Sequence, residues 1–159
     1  MISLTLQSEE TVYSNKNSEL KQALSFKDNG DGTITDSTNG LIWQKCSIGQ
    51  TGEDCQGFII FGKAKKMNWK DANIECKSLQ LTGKKWRLPS KEELETLVDT
   101  KNNPKINTEF FPNTASAYWS STIHEHYSDN AWYVFFSSGD SYFNYKSSKF
   151  NVRCILTRP

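Results

Sequence analysis

The chain has 159 residues, with nineteen Lys and Arg against eighteen Asp and Glu and a formal net charge of +1. That length suits one ordinary domain with a core of its own, and the even charge balance excludes a protein that holds nucleic acid or an anionic membrane through its overall field. No apolar run approaches the roughly 20 residues needed to cross a bilayer, and the polar N-terminus lacks the layout of a signal peptide, so no membrane insertion is expected.

Residues 1–25 are polar and irregular, apart from an alternation of Ile2, Leu4 and Leu6 that suits a short edge strand. They read as an arm or linker ahead of a domain at 26–159. The stretch KDNGDGTITD, Lys27 to Asp36, has the look of a calcium loop. With Gly32 at position 6 of such a loop, however, Lys27 falls at position 1 and Thr38 at position 12, where carboxylates are needed. Asn29-Gly30 and Asp31-Gly32 instead read as turn dipeptides ahead of a strand at Thr33–Asp36. A second strand follows at Leu41–Lys45, after an Asn39-Gly40 turn.

Four cysteines, Cys46, Cys55, Cys76 and Cys154, include no CxxC pair, which argues against a zinc ribbon or a thioredoxin-type site. Two disulfides are expected. Cys46 with Cys55 and Cys76 with Cys154 is the preferred pairing, since a helix and a last strand can pack together, although three connectivities are possible. On chain entropy the short bridge is worth about 3 kcal/mol and the long one about 4.5. Disulfides imply an oxidising compartment, hence a secreted, surface or periplasmic location.

A helix is expected from Asn68, with Asp71 as capping partner and Trp69, Ala72, Cys76 and Leu79 on its apolar face. A second starts at Ser90 with Glu93 in the capping-box position and Leu94, Leu97 and Val98 buried. Aromatic strands follow at Tyr118–Ser121, Ala131–Phe136, Ser141–Tyr145 and Val152–Thr157, with Ser138-Gly139-Asp140 as a hairpin turn. The class is α+β with an antiparallel sheet.

Three groups of residues suggest chemistry. Lys63, Lys65, Lys66 and Lys70, with Lys84, Lys85 and Arg87, flank the first helix and suit a sulfate or phosphate patch, or simply a solvated face. Tyr142, Asn144 and Lys146 share one face of a strand, a polar and aromatic stripe able to stack a sugar ring. His124 and His126, with Asp129 nearby, form the single alternative for a metal, although a solvated polar loop accounts for them equally well. No nucleophile elbow, Walker loop or HExxH helix is present, and the carboxylates Glu92, Glu93, Glu95 and Asp99 fit the charged outer face of a helix. No enzyme and no cofactor is expected.

The segments FKDNGDGTITDSTNGLIWQKC, WKDANIEC, GKKWRLPSKEELETLVD, FFPNT, YWSST, AWYVFFSSGD and VRC, in this order, resemble the C-terminal domain family of the collagen-like adhesin of Legionella. The likeness covers 26–158. It implies a C-type lectin-like fold in which a disulfide ties the first helix to the last strand, matching Cys76 and Cys154 here. It also implies an exported or surface module, a homotrimer and binding to sulfated glycosaminoglycans, with Trp43, Trp86, Arg87, Pro89, Trp119 and Arg153 as scaffold. The wider fold includes formylglycine-generating enzymes, which need a reactive cysteine pair that the preferred pairing would leave unavailable. The expected function is therefore an exported, non-catalytic adhesin module whose partner is a glycan or host-surface polysaccharide. The alternative is a structural or protein-interaction module of a surface assembly.

Overall fold

The structure is a computed structural model and describes Val12 and residues 25–57 and 63–157. The strand expected around Ile2, Leu4 and Leu6 lies outside the described residues.

Two antiparallel sheets carry the fold. The first runs β1-β2-β3-β8-β4, from β1 (Phe26–Asp28), β2 (Thr33–Asp36), β3 (Leu41–Gln44), β8 (Ile155–Leu156) and β4 (Trp86–Arg87). The second is the meander β5 (Ala117–Ile123), β6 (Asn130–Phe135) and β7 (Asp140–Tyr145). Between them in sequence come α1 (Trp69–Ser78), a 3-10 turn at Leu81–Gly83 and α2 (Lys91–Glu95).

KDNGDGTITD is the hairpin between β1 and β2. Gly30 and Gly32 take φ of +73° and +85°, the left-handed region that glycine enters without steric cost. The acidic side chains are spent on the turn itself. Asp28 Oδ1 accepts from the Gly30 N–H at 2.9 Å, and Asp31 Oδ1 accepts from the Thr33 N–H and hydroxyl. Asp28 Oδ2 also receives Lys45 Nζ at 2.7 Å.

Both helices start where capping chemistry dictates. Asn68 Oδ1 accepts from the Asp71 N–H at 2.9 Å, and Asn68 Nδ2 donates back to the Asp71 carboxylate at 2.8 Å. Ser90 and Glu93 complete a reciprocal capping box. The second helix is shorter than its apolar pattern suggests. It ends at Glu95, and Leu97 and Val98 reach the core from the turn that follows.

Two core clusters result. Ile34, Trp43, Leu94, Phe111, Tyr118, Val134 and Phe136 form the first, joining both sheets to α2. Ala72, Cys76, Trp86, Trp119, Ala131, Val152 and Cys154 form the second, under α1. Burying each large apolar side chain contributes roughly 1.5–3 kcal/mol. The disulfides are Cys46–Cys55 and Cys76–Cys154, as preferred, and the second joins α1 to the last strand segment. The strand expected over Val152–Thr157 shrinks to Ile155–Leu156. Its missing ladder bonds go to irregular partners, with Ile48 and Gln44 donating their N–H groups to the Val152 and Cys154 carbonyls, and Gln44 Oε1 accepting from the Cys154 N–H.

Candidate functional site

The loop closed by Cys46–Cys55 folds against the segment that carries the first lysines. Gly49, at φ +93°, sits so close to it that a Cβ there would lie 2.7 Å from Lys65 Cγ and 3.0 Å from the Lys63 carbonyl oxygen. Only glycine permits that approach, and it lets the Lys65 N–H donate to the Ile48 carbonyl at 2.8 Å. The other side of the loop is tied down through Gln50, whose Nε2 donates to the Asn113 carbonyl at 2.9 Å, and through Asn113, whose Nδ2 donates to the Asp54 carbonyl at 2.8 Å. Between these ties lies an open depression of about 460 Å³, lined among others by Gln50, Lys63, Lys66, Asn113, Ala115 and Asn151.

Behind it is Arg153, only 1% exposed. Its Nη2 donates to Thr114 Oγ1 at 3.0 Å and to Ser47 Oγ at 3.4 Å, while Nε and Nη1 have no hydrogen-bond partner among the described residues. The guanidinium lies over the Phe111 and Tyr118 rings, 4.8 and 5.4 Å from their centroids. No acidic side chain pairs with it among the described residues, and loss of solvent pulls its pKa below the ordinary arginine value. Thr114 stands between Asn113 and Ala115 of the lining, and the Ser47 N–H donates to Gln50 of the lining at 3.0 Å. Arg153 is therefore an uncompensated positive charge one residue behind the depression, where low polarity lengthens its reach.

The remaining lysines separate. Lys65 borders a second hollow with Asp71 and Glu75, which Lys66 also reaches from the first. Lys84 and Lys85 are exposed beyond the far end of α1 and line neither hollow. On β7, Tyr142 and Asn144 do share a face, opposite Tyr133 and Ala131 of β6. Tyr142 is 46% exposed, but Asn144 Oδ1 already accepts from the Tyr145 N–H and the Ser148 hydroxyl. Lys146 Nζ donates to the Ser128 carbonyl at 2.6 Å and stands 4.6 Å from the centroid of the Trp69 ring.

The histidine loop follows β5. His124 is buried against Phe143 and stacked on Trp132, with ring centroids 4.1 and 5.4 Å away, and its Nδ1 accepts from the His126 N–H. The imidazoles do not converge on a point shared with Asp129. No group of three or more metal-ligating side chains is assembled among the described residues. The loop instead walls a hollow of about 520 Å³ together with Phe143 and Tyr145, on the face of β7 opposite Tyr142.

The family model described as the Lcl C-terminal domain matches residues 32–156. This chain belongs to that family. No curated protein matches it. For this Lcl C-terminal domain the α+β class, antiparallel sheets, two helices and two disulfides stand as expected, and the architecture is compatible with the C-type lectin-like arrangement. The disulfides belong to an oxidising compartment, and no helix among the described residues is long and apolar enough to cross a membrane.

Two features of the Lcl C-terminal domain escaped the reading of its residues. The family resemblance places Arg153 among scaffold residues, although a charged residue set between Val152 and Cys154, both buried, signals an unusual electrostatic position. Gln50 and Asn113 carry no signal at all, because only the folded loop brings them together.

Proposed function

We propose that this domain is an exported, non-catalytic recognition module that binds an acidic polysaccharide at the depression between the Cys46–Cys55 loop and Asn113. The observation that carries the reading is Arg153, a buried cation without an acidic partner behind a surface hollow whose rim holds Lys63 and Lys66. A sulfate or carboxylate group seated there gains two surface ion pairs and a poorly screened third charge. Membership of an adhesin-associated family supports the same assignment. The absence of free cysteines among the described residues supports a non-catalytic role over cysteine chemistry.

Heparin affinity tests this. Lys63→Ala/Lys66→Ala should weaken binding about tenfold, while Lys84→Ala/Lys85→Ala, away from the depression, should leave it nearly unchanged. Flow-through of the wild-type protein at low salt would remove the acidic-polysaccharide reading and leave a structural or protein-interaction module. A homotrimer presenting three depressions belongs to the same proposal. Light scattering should return three times 18.2 kDa, and a monomer mass would remove the trimer without touching the binding site.

A further inference from the structure

The aromatic hollow beside β7 is another place, among the described residues, where the fold leaves side chains exposed and unused. Tyr127, Phe143 and Tyr145 are 58%, 42% and 64% exposed, and exposed aromatic rings gathered around one concavity are unusual on a surface that has no need of them. Tyr127 lies over Phe143 with centroids 6.0 Å apart and planes 26° apart. Phe143 is braced from beneath by His124 and Trp132. Tyr127 and Phe143 are thus held by packing before any ligand arrives, which lowers the ordering cost of binding.

Its polar rim is uncommitted. The Asp129 carboxylate, the Asn130 carboxamide and the His126 imidazole line the hollow and make no side-chain hydrogen bond among the described residues. Together they offer both donors and acceptors. The charges nearby are mixed. Lys91 Nζ stands 4.6 Å from the centre of the Trp132 ring, and Lys146 Nζ is bonded to the Ser128 carbonyl in the hollow's own wall. Glu125, whose carboxyl its own backbone N–H holds below the usual range, answers them beside Trp132. A cationic ligand meets the two ammonium groups and an anionic one meets Glu125 and Asp129.

We infer that this hollow is a second binding site, distinct from the lysine-rimmed depression, and that it takes a neutral pyranose ring. The C–H face of the sugar lies on Tyr127 and Tyr145, with its hydroxyls bonded to Asp129, Asn130 and His126. Stacking of an apolar ring face on aromatic rings combined with a few directed polar groups is the usual composition of a small-ligand site.

The test is solution NMR of the described protein titrated with methyl α-mannoside, methyl β-galactoside, N-acetylglucosamine and cellobiose through the millimolar range. At least one of these sugars should move the resonances of Tyr127, Phe143 and Tyr145. Tyr145→Ala, which removes a side chain mostly in solvent and should leave the melting temperature unchanged, should weaken that sugar about tenfold. Asp129→Asn serves as a second variant with the platform intact and should also weaken it. Lys63→Ala/Lys66→Ala should have no effect on the sugar, and Tyr145→Ala none on heparin, so each site stands or falls separately. No response to any of the four sugars, shifts confined to other residues, or unchanged affinity in both hollow variants overturns the inference.

Discussion

Arg153 donates to Thr114 Oγ1 at 3.0 Å from one end of its guanidinium and leaves Nε and Nη1 without a hydrogen-bond partner among the described residues. A buried ion held this way costs stability, because its lost hydration is only partly returned.

Replacing that ion with an apolar side chain of similar length should therefore be tolerated. Arg153→Met is expected to keep or raise the melting temperature while weakening heparin binding. Thermal unfolding followed by circular dichroism checks the first part. A fall of more than roughly 5 °C would mean that contact with Phe111 and Tyr118 outweighs the desolvation cost.

The two disulfides should differ in worth. Their sequence separations are 78 for Cys76–Cys154 and 9 for Cys46–Cys55. Cys76→Ala/Cys154→Ala is expected to cost about 4.5 kcal/mol and Cys46→Ala/Cys55→Ala about 3 in the chain-entropy account. Urea unfolding of the two variants gives the order directly, and the opposite order would show that the packing under α1 absorbs the loss of its bridge.

The β1–β2 hairpin should ignore calcium. Asp28 and Asp31 already accept bonds from Gly30, Thr33 and Lys45, so no set of six or more free oxygens faces a cation. Melting temperatures with millimolar calcium and with chelator are expected to coincide, and a rise with calcium would reinstate the loop as a metal site.

Lys45 holds the Asp28 carboxyl below the usual range, chiefly through their hydrogen bond. A carboxylate with a depressed folded pKa contributes stability above its unfolded value, near pH 4, and loses that contribution as the pH falls through the folded value. The pair is partly exposed, so Asp28→Asn should cost less than about 1 kcal/mol at neutral pH. Its difference from wild type should shrink as the pH falls below about 4. Urea unfolding across that range measures it, and a gap that widened in acid would contradict the assignment.

What could be read from the residues was what depends on near neighbours. Asn68 and Ser90 announce both helices because capping needs only the next three residues, and Asn29-Gly30 announces its turn for the same reason. Alternation along β7 correctly separates Tyr142 from Phe143 and Tyr145, but period two cannot say which face is covered. Tyr142 and Phe143, on opposite faces, are 46% and 42% exposed, and it is the histidine loop that walls a hollow on the Phe143 side. The strand after Asn151 is shorter than its apolar run suggests because its backbone partners lie about a hundred residues earlier, Gln44 at the end of β3 and Ile48 in the irregular loop beyond it. The meeting of Lys63 and Lys66 with Asn113, and of Thr114 with Arg153, is likewise a product of tertiary structure alone.

The Cys76–Cys154 bridge brings two Cα atoms to 5.5 Å, and the chain between them contains β4, α2 and the whole three-stranded sheet. Seen this way, most of the molecule is an insert whose two ends are stapled at one point of a frame made by β1–β3, α1 and β8. The staple fixes the ends of the insert, while β4 pairing with β8 and the first core cluster hold its body to the frame. With both ends fixed by a covalent bond, the loop at 124–129 at the edge of the insert should accept changes of residue or length without shifting α1 against β8.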